Sequence, residues 1–196
     1  MAMSEAGEQV ALLISPAEED HNTLQQLFQQ HGWNLLATRS LDSAMTLFRE
    51  KAVSVVITER DLAVYNWKDV VNAIDGLREP PLLIVISRLA DDNLWAEALN
   101  LGVYYDVLAK PLVQAEVVRV LTSAWIQRLT RQMHAAQKAY NEATAECTKI
   151  KAKYGDMLDN PDGTLALRRA ATNERRAAQK YRKAAKAYSA IVRVTL

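Results

Sequence analysis

Four short apolar runs in this sequence end at residues that can carry charge or donate a hydrogen bond. Val10-Ala11-Leu12-Leu13-Ile14 ends at Ser15-Pro16, Val53 to Thr58 ends at Glu59, Leu82 to Ile86 ends at Ser87, and Tyr105 to Leu108 leads through Ala109 to Lys110-Pro111. Continuous apolar runs of this length are typical of strands buried on both faces. In a doubly wound α/β sheet the carboxyl ends of such strands converge on one rim, where functional sites lie. Glu59, Lys110, Ser15 and Ser87 would then meet there, and a carboxylate facing an ammonium is first of all an ion pair. Other chemistries lack their residues. The sequence has no Gly-rich phosphate loop, no Cys/His metal spacing and no nucleophile elbow. His21, His31 and His134 are scattered, and His134 has no acidic neighbour.

The segments between the runs read as helices. Glu18-Glu19-Asp20 opens one with Leu24, Leu27 and Phe28 inward, since acidic residues suit a helix N-terminus. His31-Gly32 stops it, and Trp33 to Thr38 reads as a second strand. Ser40 is a good N-cap for Leu41 to Glu50. A loop, 60–66, leads to a helix with Val70, Val71 and Ile74, and Pro80-Pro81 breaks the chain before the fourth strand. Asp91 to Leu101 is a helix closed by Gly102. Five alternations of strand and helix predict an α/β fold with a parallel sheet covered on both faces.

Beyond residue 125 the period changes. Ile126, Leu129, Met133, Ala136, Tyr140, Ala143, Cys147, Ile150, Tyr154 and Met157 follow a 3-4-3-4 spacing, a coiled-coil-like seam of about four heptads. No cap or proline interrupts it, so the fifth helix is expected to run on to about Tyr154. Asp159-Asn160-Pro161-Asp162-Gly163 reads as a turn near 158–163. A further helix carries Leu167, Ala170, Ala177, Tyr181, Ala184, Tyr188 and Ile191 at similar spacing. The expected domains are 8–129 and a helical hairpin extension, 130–196.

The formal charge of +1 over 196 residues hides an asymmetry. Residues 1–112 have 8 basic and 16 acidic residues, a net of −8, whereas residues 164–196 have 9 and 1, a net of +8. Such a split suggests an electrostatic partner, internal or external. Cys147 is the single cysteine, which excludes an intrachain disulfide and gives no sign of an oxidising compartment. The start is acidic and polar, unlike a signal peptide, and no run of about 18 apolar residues suggests a membrane span. A cytoplasmic protein is expected, with no membrane partner.

The stretch from about Glu8 to Leu129 resembles the receiver domain of bacterial response regulators. The resemblance rests on Leu12-Leu13-Ile14 with Leu24 ten residues on, Ala44, Leu62 with Trp67-Lys68-Asp69, Ile84-Val85-Ile86-Ser87, and Ala98…Gly102 followed by Lys110-Pro111. It implies a flavodoxin-like sheet in the order 2-1-3-4-5. It implies that Ser87 and Lys110 are switch and pocket residues and that the Lys110-Pro111 bond is a candidate cis peptide. Glu59 stands where the family has its phospho-accepting aspartate, and Ser15 and Pro16 stand where it has its acidic, metal-binding pair. These departures matter physically. Mg²⁺ takes near-octahedral oxygen ligands, usually carboxylates. Ser15 offers a neutral hydroxyl, Pro16 offers no side-chain oxygen, and Glu59 is one methylene too long. Asp61 is the alternative, displaced acceptor. Val107 occupies the place of an aromatic switch residue, with Tyr104 and Tyr105 just upstream.

The reading is therefore an atypical, pseudo-receiver response regulator of two-component phosphorelay signalling, with reduced or absent phospho-acceptance and no cofactor. It acts through protein–protein contacts with a histidine kinase or an output protein, rather than as an enzyme. A homodimer through the hairpin is one further expectation. The alternative is a nucleic-acid-binding regulator of transcription or antitermination that uses the basic last helix.

Overall fold

The computed structural model describes residues 9–100, 104–154 and 161–195. Its elements are β1 (Val10–Ile14), α1 (Glu18–His31), β2 (Asn34–Thr38), α2 (Leu41–Glu50), β3 (Val55–Glu59), α3 (Trp67–Asp75), β4 (Leu82–Ser87), α4 (Asp92–Asn100), β5 (Tyr104–Ala109), α5 (Gln114–Tyr154) and α6 (Pro161–Thr195). The five strands are parallel and ordered β2-β1-β3-β4-β5. This is the flavodoxin-like doubly wound sheet that the alternation and the resemblance predict. The chain divides into two compact units at Arg128 and Leu129.

In the first unit the central strands account for the continuous apolar runs. Every residue of β4 is buried, as are Ala11 to Ile14 of β1 and Val55 to Thr58 of β3. β2, at the sheet edge, buries none of its residues fully. Helices cover both faces because each carries an apolar stripe at helical spacing: Leu24, Leu27 and Phe28 on α1, Val70, Val71 and Ile74 on α3, Val117, Val120, Leu121 and Trp125 on α5. The caps are local chemistry. Gly32 ends α1 at φ 63°, a conformation that glycine adopts without a Cβ penalty. Ser40 accepts from the Ser43 N–H, and Asn66 with Asp69 forms a reciprocal capping box that starts α3.

Strand boundaries differ slightly from the sequence reading. Trp33, Val53 and Ser54 lie just outside their strands, and Glu59 lies inside β3. Trp33 is instead part of an aromatic cluster. Its ring meets Phe28 edge-on at 5.6 Å and Trp125 edge-on at 4.6 Å, and stacks on His31 at 4.6 Å. Trp125 is 1% exposed, and its indole Nε1 has no hydrogen-bond partner among the described residues. The β4–β5 pairing shifts register: Leu83 faces Tyr104 and Ile84 faces Asp106. Tyr105 is thus an extra residue on β5, the mark of a β-bulge. Leu101 and Gly102 lie outside the described residues.

The second unit is a helical hairpin. Along α5 the buried and half-buried positions beyond 129 include Met133, Ala136, Tyr140, Ala143, Cys147, Ile150 and Tyr154, the positions of the heptad seam. Along α6 they include Leu167, Ala170, Ala177, Tyr181, Ala184, Tyr188 and Ile191. The helices are antiparallel, because Tyr154 meets Gly163, Cys147 meets Glu174, and Tyr140 stacks on Tyr181 with centroids 6.2 Å apart. The four seam tyrosines are therefore half-buried within the hairpin rather than left exposed. One expectation is corrected. Pro161, Asp162 and Gly163 are not turn residues but the start of α6. Proline suits a first helical position, where its missing N–H would have no partner. Gly163 is buried against the Tyr154 ring, where a Cβ would lie 3.0 Å from Cδ1. Residues 155–160, the rest of the expected turn, lie outside the described residues.

The small residues of the seam leave little room for longer side chains where the two helices meet. Ala143→Glu with Ala177→Glu forces two longer, like-charged side chains into half-buried positions and overpacks the seam, at about 1–3 kcal/mol each. The double variant should lose helical circular dichroism in a separate, early thermal transition while the first unit still unfolds cooperatively. Unchanged helix content and melting would mean that these alanines do not pack.

Candidate functional site

The register of the sheet brings the four run-ending residues to one rim. Ile14 pairs with Thr58, Glu59 with Ile86, and Ser87 with Ala109, so Ser15, Glu59, Ser87 and Lys110 close adjacent strands. The backbone is tied across the same edge. Ser15 N–H donates to the Thr38 carbonyl, Arg60 N–H to Ile86 at 3.0 Å, and Lys110 N–H to Ser87 at 2.9 Å. The Lys110-Pro111 peptide is cis.

The ammonium of Lys110 lies between two carboxylates. Its Nζ donates to Glu59 Oε2 and, at 2.7 Å, to Asp20 Oδ2. All three side chains are shielded, 10% exposed for Lys110, 15% for Glu59 and 4% for Asp20, so the pair is weakly screened. Each carboxylate has a further donor. Ser15 Oγ donates to Asp20 Oδ2, and Arg60 N–H donates to Glu59 Oε1 at 3.1 Å. Ser15 itself is fully buried, and its Oγ also accepts from the Ala17 N–H at 3.1 Å. His21 Nε2 lies 2.8 Å from the Ser15 carbonyl. The start of α1 is thereby fastened to the end of β1.

Asp20 is the pocket residue that the sequence reading did not single out. Its neighbours Glu18 and Glu19 are exposed, pairing with Arg39 and, at 3.8 Å, with Arg88. Asp20 shares its helix face with Leu24 and Leu27, four and seven residues on, and that spacing is the signal that would have found it. Pro16 is exposed and brings no oxygen to the rim. Asp61 is exposed and held by Arg60, 2.7 Å from Nε to Oδ2, so it stays clear of the pocket. Hydrogen bonding to Asp61 raises the Arg60 guanidinium above its ordinary pKa, against a smaller opposing effect of burial. Ser87 is buried, and its Oγ caps the next loop by accepting from Leu89 N–H at 3.0 Å. Val107 is buried in β5.

A divalent cation is a poor fit for this donor set. Among the described residues the side-chain oxygens that meet there are two carboxylates and the hydroxyls of Ser15 and Ser87, and both carboxylates already neutralise Lys110. Octahedral coordination of Mg²⁺ would have to displace that ammonium. Among the described residues no group of three or more His, Cys, Asp or Glu is placed to hold a metal ion.

Removing the ammonium would leave Asp20 and Glu59 facing one another without a counter-charge. Breaking a buried pair in this way costs about 3–5 kcal/mol. Lys110→Met should therefore lower the urea midpoint of the first unit's unfolding markedly. An unchanged midpoint would show that the three groups are not coupled.

No protein-family model matches the chain, and no curated protein matches it. Solved structures do. The signal receiver domain of an HD domain-containing protein from Pseudomonas fluorescens Pf-5 superposes with a TM-score of 0.57 at 25% identity, over 62% of this chain and 97% of that one. A response regulator from Thermotoga maritima gives 0.51 at 16% identity, over 60% and 97%. The chemotaxis response regulator CheY4 of Vibrio cholerae gives 0.55 at 13% identity, over 60% and 98%. About 60% of the chain thus has the fold of a response-regulator receiver domain.

Proposed function

We propose that this chain is an atypical response regulator whose receiver pocket is held by a resident ion pair instead of being switched by a phosphoryl group. The observation that carries the reading is the bridge from Lys110 to both Asp20 and Glu59. In this reading Glu59 stands at the phospho-acceptor position, and Ser15 and Pro16 stand at the positions of the missing acidic pair. Ser87, Lys110 and Pro111 complete the pocket. A phosphoryl transfer to Glu59 needs its oxygen free and a metal to neutralise the incoming charge. Here one oxygen is bonded to Lys110 and the other to the Arg60 N–H. The nucleophile is also displaced by one methylene, and a misplacement of about 1 Å can cost roughly 10²-fold in rate.

The output is then protein–protein recognition in two-component signalling, with a histidine kinase or an output protein as partner and no catalysis by this chain. Three exposed apolar side chains support a contact surface on the βα rim: Val64 after β3, Leu89 after β4 and Val113 after β5. Isolated exposed apolar residues are common, but three on successive loops around one pocket are an arrangement suited to a partner. The hairpin extension, 130–196, is the second element of this architecture.

Incubation with acetyl phosphate and Mg²⁺, followed by intact-mass measurement, tests the reading. The mass should stay unchanged under conditions that phosphorylate an aspartate-bearing receiver. A gain of one phosphoryl group mapped to Glu59, Asp20 or Asp61 would overturn it.

A further inference from the structure

Beyond the receiver, the structure presents a charged surface that the signalling reading leaves unused. We infer that the outer face of α6 binds the phosphate backbone of duplex DNA without reading its sequence. At 3.6 residues per turn, Arg168, Arg169, Arg176, Lys180 and Lys183 fall on one face of α6, opposite the seam of Leu167, Ala170, Ala177 and Tyr181. All five are exposed, Arg175 and Arg182 flank them, and among the described residues none of the seven is paired with a carboxylate. The stripe from Arg168 to Lys183 is about 22 Å long at 1.5 Å per residue.

The one acidic residue within that span is turned away from it. Glu174 is half-buried in the seam, where it hydrogen-bonds to Cys147 and, as the largest effect, raises the thiol's pKa. The outer face is thus left uniformly positive, whereas solvated helix faces usually interleave both signs for i, i+4 support. Thr172 and Asn173 lie among the arginines, and Arg168, Arg169, Thr172, Asn173 and Arg176 together line a shallow depression of about 340 Å³. Guanidinium forks, a hydroxyl and a carboxamide are the donors that contact phosphate oxygens.

The form of the polyanion follows from what the face lacks and how wide it is. It exposes no aromatic ring, since Tyr181 and Tyr188 are half-buried in the seam, so it has no platform for unpaired bases. The major groove of B-form DNA, about 12 Å wide, admits a helix. An A-form RNA duplex has a deep, narrow major groove and a shallow minor groove, so neither encloses a helix as the B-form major groove does.

Fluorescence anisotropy of the full chain with labelled 20-base-pair duplexes of unrelated sequence tests this. Binding should be independent of sequence, with log Kd rising by about 4–6 per decade of salt, close to 0.9 per phosphate neutralised. Arg168→Ala with Arg169→Ala and Arg176→Ala should weaken binding at least tenfold at 100 mM salt and reduce that slope by about 3. Lys180→Gln with Lys183→Gln should reduce it by about 2, and provides the test if the triple variant loses helical circular dichroism. No binding at 50 mM salt, or unaltered binding by both variants, would overturn the inference. So would tighter binding of single-stranded DNA or duplex RNA, or equal competition by polyglutamate. Self-association at low salt that these variants abolish, without DNA binding, would instead assign the face to the acidic surface of a second copy.

Discussion

The first unit turns on a single ammonium. Lys110 follows β5, Glu59 ends β3 and Asp20 lies in the first turn of α1, so one side chain joins segments 90 and 51 residues away in sequence. Two carboxylates against one cation leave the pocket with excess negative charge. That excess is tolerable because Ser15 Oγ and the Arg60 N–H supply further donors. A hydrogen bond to a charged group contributes about 1.5–3 kcal/mol, more than a neutral one. The arrangement explains why the run ends differ in kind. A buried hydroxyl at Ser15 leaves room for Asp20 to reach in from the helix, and the longer Glu59 spans the distance to Lys110.

The two units solve different packing problems. The receiver-like unit buries β-branched and leucine side chains in a sheet covered on both faces, where an ion pair at the rim fixes the loop ends. The hairpin has no such core. It relies on alternation of tyrosine with alanine along two long helices, large rings filling the space that small residues leave. The stacked pair Tyr140–Tyr181, with planes 3° apart, is the clearest instance. Polar and charged residues occupy the outer faces, and Leu165 is the one strongly exposed large apolar side chain among the hairpin's described residues.

The sequence made the sheet legible because its central strands are continuous apolar runs bounded by breakers. The heptad seam was legible for a similar reason, an unbroken period. Asp20 escaped because three acidic residues at a helix start are adequately explained by the helix dipole. Only its phase with Leu24 and Leu27 separates it from Glu18 and Glu19. Pro161 was misassigned because Asn-Pro-Asp-Gly is a strong turn signal, yet the same proline is favoured in a first helical turn, and packing of Gly163 on Tyr154 decides between them. The bulge at Tyr105 depends on cross-strand register, which no single strand encodes.

The aromatic cluster has an optical consequence. Trp125 is enclosed by Phe28 and Trp33, and among the described residues its indole nitrogen meets no hydrogen-bond acceptor. An indole in such a dry setting emits at shorter wavelength than one in water. Two indoles 4.6 Å apart at 83° also couple their strongest transitions, which gives a couplet in the far-ultraviolet circular dichroism. Because Phe28 belongs to α1 and Trp125 to α5, the emission of the Trp33–Trp125 pair, isolated by replacing Trp67 and Trp95, registers whether those two helices are docked beside the sheet edge.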